Sequence, residues 1–314
     1  MKNRFCGIIF KTIFKTIFKA IFKTILCAVI CLNLAMPSDG AQTPARATSA
    51  VMEIIVTSPW LNLLASFIGG VNVHVTSIQE WNEEGELIRR IRARNLQSLP
   101  PETLLMAFDY RDAKGLGLPI DIYPNYRPLY DRLPLDESKI DTFLSDPSVM
   151  PLIAQRVLMV LADWDPENYP YYQRRLAEFP ARISSTTLAG RQILKGQKIY
   201  DLTGHSNAIL QAAGCVMTRP SDEEWASWSV WRGMGTLTAN VARLAEEKYV
   251  VVLDCSTPKA IRAYLGSNQN VFLIVRPKPN QDYPAYLHDQ YISLWTKITS
   301  RPLPTPARRR NTNP

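Results

Sequence analysis

The sequence predicts an α/β protein of two lobes, each a parallel sheet flanked by helices, joined by a long central helix. Three observations predict it. Met52 to Thr57 is a short β-branched run, followed by Ser58-Pro59, an apolar helical stretch to Ile68, Gly69-Gly70 and a second apolar run from Val71 to Ile78, the order of a parallel βαβ unit. Mid-chain, Asp165-Pro166-Glu167 is a helix start, with a carboxylate N-cap, proline at the first helical position and an acid at the positive end of the dipole. Beyond it, strand and helix patterns alternate again from Leu194 to Thr299.

The central run continues through Tyr172, Leu176, Phe179 and Ile183, one face of a helix. Pro170 and Pro180 each remove a backbone donor, which predicts a helix that is bent or begins late. The expected organisation is a leader over 1–50, an N-terminal lobe over 51–162, a linker helix over 163–190, a C-terminal lobe over 191–299 and a tail over 300–314.

With 46% hydrophobic residues the 314-residue chain can bury two cores. Its formal charge of +8 does not point to nucleic acid, because Lys2, Arg4, Lys11, Lys15, Lys19 and Lys23 all lie in the leader. Repeated Ile-Phe-Lys-Thr, the apolar run from Ile25 to Met36 and the small residues after it read as a secretory signal, with an uncleaved membrane anchor as the other reading. Either places the folded part in the periplasm. Past the leader two cysteines remain, Cys215 and Cys255, and an oxidising compartment favours a disulfide between them.

Within the N-terminal half, Gln79 to Glu86 is a polar loop and Pro100 to Phe108 a short helix running into a strand. Leu118 to Tyr123 reads as a strand, Pro124 to Pro134 as a surface loop, and the stretch after Asp146-Pro147 as a helix with Ile153, Val157, Val160 and Leu161 on one face. In the second half, Lys198 to Leu202 is a strand that ends at Thr203-Gly204-His205, and Ser206 to Ala213 a helix stopped by Gly214. Ser221 opens a helix with Trp225, Trp228, Trp231 and Met234 at helical spacing, a core or lobe-contact stripe. Val250 to Asp254 and Val271 to Val275 are strands, and Asp282 to Thr299 is the closing helix.

The run L-x-x-x-DPEN-x-x-YY, the TS–helix–GG opening and the LKGQK turn before His205 together resemble the periplasmic metal-binding proteins that serve ABC importers of zinc, manganese or iron. The resemblance follows the order of elements over most of residues 52 to 298. It implies a monomeric solute-binding protein that holds zinc or manganese between its lobes and hands it to an inner-membrane permease. His205 stands where the family has a ligand histidine at the carboxyl end of the first strand of the second lobe. The other family positions depart. No histidine follows Ile78, where Glu83, Glu84 and Glu86 stand instead. Thr142 replaces a second histidine. Arg276, before Pro277, replaces an aspartate.

These departures leave several readings open. In one, the metal ligands have moved and His205 works with Glu84, Glu86, Asp109 or Asp254. In another, the scaffold is kept and the cleft, bearing His205 and Arg276, takes an anionic group, as a small organic acid or a chelated metal. An enzyme finds no support, since there is no nucleophile elbow, phosphate loop or His-Glu-x-x-His, and capping accounts for Asp165 better than acid–base work with Asp163. A membrane-anchored structural or partner-binding protein is the last reading.

Overall fold

The computed structural model describes residues 51–133, 135, 137–228, 234–279 and 281–300. The residues read as a leader and as a tail, and Trp231 of the tryptophan stripe, lie outside them. The N-terminal lobe comprises β1 (Met52–Val56), α1 (Pro59–Gly69), β2 (Val73–Ser77), β3 (Gln79–Trp81), β4 (Leu87–Arg89), α2 (Ala93–Leu96), β5 (Leu104–Ala107), α3 (Tyr110–Gly115), β6 (Tyr126–Pro128), α4 (Glu137–Leu144) and α5 (Met150–Trp164). Helix α6 (Tyr169–Leu194) follows. The C-terminal lobe comprises β7 (Lys198–Asp201), α7 (Asn207–Ala212), β8 (Val216–Thr218), α8 (Asp222–Trp228), α9 (Met234–Glu246), β9 (Val250–Leu253), α10 (Lys259–Leu265), β10 (Val271–Leu273) and α11 (Tyr283–Thr299).

The two main sheets share one topology. The first runs β2-β1-β5-β6 and the second β10-β9-β7-β8, all neighbours parallel. Numbered within each lobe, both read 2-1-3-4. In such open sheets ligands collect at the carboxyl ends of strands, where the order switches. Here the switch falls between β1 and β5 in one lobe and between β7 and β9 in the other.

Helix α6 begins late, as its prolines require. Pro166–Asn168 forms a 3-10 turn, and the α-helix starts at Tyr169 and runs 26 residues through Pro180. Asp165 caps the turn, taking hydrogen bonds from Asn168 Nδ2 at 2.8 Å and the Tyr172 hydroxyl at 2.5 Å. Tyr172, Phe179 and Ile183 are buried. They belong to one continuous core that includes Ile54 and Val56 from the first sheet, Ile199 and Val250 from the second, and Tyr283 and Tyr291 of α11. Gly190 lets α11 approach α6, since a Cβ there would sit 2.5 Å from the Tyr291 ring. A smaller core lies on the outer side of each sheet. Trp228 is buried in the second of these, with Trp225 against it.

Four local expectations change. Residues 79–89 form an antiparallel hairpin, β3–β4, rather than a plain loop, and Gly85 at its tip takes a left-handed φ of 79°. Residues 120–122 are a 3-10 turn, and the strand lies later, at Tyr126–Pro128. That strand pairs only with β5 and is an edge, where proline is tolerated. The stretch after Pro100 is a turn closed by Thr103 N–H on the Pro100 carbonyl at 3.0 Å rather than a helix. The expected disulfide is absent: Cys215 and Cys255 are free thiols. Cys215 precedes β8 at the amino end of the sheet, and Cys255 follows β9 at the carboxyl end. The length of a four-residue strand, ~13 Å, therefore separates them, well past the reach of a disulfide.

Candidate functional site

The carboxyl ends of both sheets face a cavity of about 380 Å³ lined by Ser58, Trp60, Phe108, Arg111, Asp141 and His205, among others. Each reaches it from a strand end or the helix after it. Ser58 follows β1 and caps α1 by accepting from Trp60 N–H at 3.2 Å. Asp109 follows β5 and caps α3. Burial alone would raise its carboxyl pKa, but bonds from Leu133 N–H and Arg111 outweigh burial and hold it below the usual value. Asp109 is thereby committed to Arg111 and the chain around it.

His205 is half-buried, and its Nδ1 lies 2.8 Å from the Thr142 hydroxyl of the opposite lobe. Ser145 Oγ, also from α4's end of the chain, donates to the His205 carbonyl. Thr142, at the family's second histidine position, thus meets His205 as a hydroxyl engaged with the ring. With Nδ1 engaged, Nε2 is the nitrogen left for a ligand.

Asp254 is fully buried and does not act as a cleft carboxylate. It accepts from the backbone N–H of His205 at 2.9 Å, Ser206 at 3.0 Å and Gly204 at 3.3 Å, and from Ser256 N–H at 3.0 Å. Burial pushes its pKa up, and these bonds more than offset it, leaving the pKa below the ordinary value. Its work is to shape the loop that presents His205.

Arg276 lies behind the cavity wall, against Asp141 and Trp60. Its side chain is 9% exposed, and its guanidinium is paired with Asp141 of α4. The same guanidinium lies 5.7 Å from the Trp60 ring centre and 5.6 Å from that of Trp81. Burial would lower its pKa, and Asp141 outweighs that. Arg276 Nε and Trp81 Nε1 are both buried with no hydrogen-bond partner among the described residues. Cys255 lies beside Arg276: burial raises its thiol pKa and the guanidinium pulls it back only in part.

Glu84 and Glu86 sit on the exposed tip of the β3–β4 hairpin. Glu86 reaches Asn82 Nδ2 at 3.4 Å, and the Glu84 carbonyl, not its carboxylate, accepts from Arg262 at 3.3 Å. Among the described residues no three His, Cys, Asp or Glu side chains gather as a metal-binding group. Asp141, Trp60 and Trp81 were not singled out from the sequence. One signal was available for Asp141: a buried arginine demands a carboxylate, and Asp141 adjoins the position matched to a family ligand.

No protein-family model matches the chain, and no curated protein sequence matches it. Solved structures do. The laminin-binding protein of Streptococcus agalactiae, described as a bifunctional protein with adhesin and metal transporting activity, superposes with a TM-score of 0.55 at 14% identity, over 79% of this chain and 99% of that one. A deletion mutant of ZnuA with zinc bound gives 0.55 at 18% identity, over 80% and 100%. A Zn(II)-bound AdcAII variant of Streptococcus pneumoniae gives 0.54 at 13% identity, over 79% and 98%. The chain has the fold of the metal-binding substrate-binding proteins, two like-wound α/β lobes on one long helix.

Proposed function

We propose that this chain is the solute-binding component of an ABC importer, working in the periplasm and passing its cargo to an inner-membrane permease. The cargo sits between the lobes at the carboxyl ends of the sheets, and it is an anion-bearing solute: a small organic acid or a metal carried in an anionic chelate. The observation behind this choice is the Arg276 guanidinium. It stands where the resemblance expects an acidic ligand, and a fixed positive charge repels a bare cation at short range.

A second reading has its own support. Zinc is bound by structural neighbours, and His205 keeps an imidazole nitrogen at the cleft. Here zinc or manganese binds directly, with Asp141 freed from Arg276. Calorimetric titration of the metal-free protein separates the two. The proposal expects heat with citrate or ferric citrate, lost in Arg276→Ala, and none with zinc or manganese alone. Stoichiometric binding of zinc alone would overturn it in favour of the second reading.

A further inference from the structure

We propose that two copies of this chain associate by pairing their β4 strands edge to edge, antiparallel, about a two-fold axis through Ile88. Hairpin β3–β4 is separate from both main sheets, and among the described residues β4 has only β3 as a strand neighbour. Its ladder alternates in a known way. Asn82 N–H bonds the Glu86 carbonyl at 3.0 Å and Arg90 N–H the Ile78 carbonyl at 2.8 Å, so Glu86, Ile88 and Arg90 turn their backbone groups toward β3. Leu87 and Arg89 must turn theirs outward. Residues 86 to 90 are all exposed, Leu87 at 45% and Ile88 at 41%.

The partner follows from the charge order. Side chains alternate across a strand, and the inner face of the hairpin turns Gln79 and Leu87 to the cleft cavity. Its outer face carries Glu86, Ile88 and Arg90, with Glu80 of β3 opposite Ile88. An antiparallel copy centred on Ile88 sets Ile88 against Ile88 once, on the axis, and Glu86 against Arg90 twice. It also makes Leu87 and Arg89 a hydrogen-bonded pair, the register their outward backbone groups allow. Charged side chains protect many edge strands against association; on this edge the charges are of opposite sign and reverse about Ile88, so an antiparallel copy brings unlike charges together. Within one chain Arg90 pairs with Glu80 at 4.0 Å. The hairpin is held in place for this role, because Gly85 packs on Cys255 and Arg276 with no room for a Cβ.

The edge is short, so the dimer is weak, concentration-dependent and salt-sensitive, in contrast to the monomer implied by the resemblance. Sedimentation equilibrium of the full chain at low and high salt tests it. Glu84→Arg with Glu86→Arg reverses the acidic end of the β4 edge, and Arg90→Glu with Arg92→Glu reverses its basic end. Each double variant alone should dimerise at least about tenfold more weakly, and an equimolar mixture should form a heterodimer. Ile88→Lys, exposed in one chain but facing its own copy across the axis, should weaken the dimer without loss of the circular dichroism signal. A chain monomeric at every concentration, an unchanged dimer in Ile88→Lys, or no heterodimer in the mixture would overturn the proposal.

Discussion

At the scale of single residues, Arg276 and Asp254 show how side chains of ligand type come to do other work. Asp254 looked available as a carboxylate, but its backbone bonds make it a loop organiser. Its depressed pKa sets the sign of its effect. The folded form binds fewer protons than the unfolded one, so its stabilisation is complete above the ordinary aspartate pKa and is lost as pH falls through the native value. Asp254→Asn, which puts donors among donors, should cost about 3 kcal/mol in urea unfolding at neutral pH and flatten the acid side of the stability curve. For Arg276 the informative change is to aspartate. That variant places a second carboxylate beside Asp141 near His205, and zinc should then raise its melting temperature. Zinc at a hundredfold over Kd would stabilise it by about 2.7 kcal/mol. Equal shifts in parent and variant would show that Arg276 does not decide cation binding.

At the scale of elements, α6 depends on how closely α11 lies along it. Gly190 is the contact point, and alanine gains about 1 kcal/mol in helix propensity there. The Tyr291 ring at 2.5 Å makes the added methyl cost more than that. Gly190→Ala should therefore destabilise the protein by about 1–2 kcal/mol net, read from the shift in denaturation midpoint. A stabilised variant would mean the two helices part more easily than the packing implies.

At the scale of the whole molecule, the lobes are not independent. One core passes from the first sheet through α6 and α11 into the second, and the Thr142–His205 and Arg276–Asp141 contacts tie the lobes across the cleft. The described residues should unfold in a single transition, with calorimetric and van't Hoff enthalpies equal. Two resolved peaks would show that the lobes melt separately.

The main elements were legible because their signals are local. The Ser58 and Asp165 caps, the proline-delayed start of α6 and the β-branched runs act within a few residues of themselves. Short edge elements such as β4 and Tyr126–Pro128 were not, since pairing with a neighbour makes them strands and their composition does not. The sequence by itself determined the two-lobe order and put His205 at a strand end. Only the tertiary structure decided the chemistry around it. Arg276 finds Asp141 across 135 residues, Asp254 is turned inward onto backbone N–H groups, and the two cysteines lie at opposite ends of one sheet. Those outcomes depend on which strand ends face each other, a relation set by packing and invisible to any local pattern.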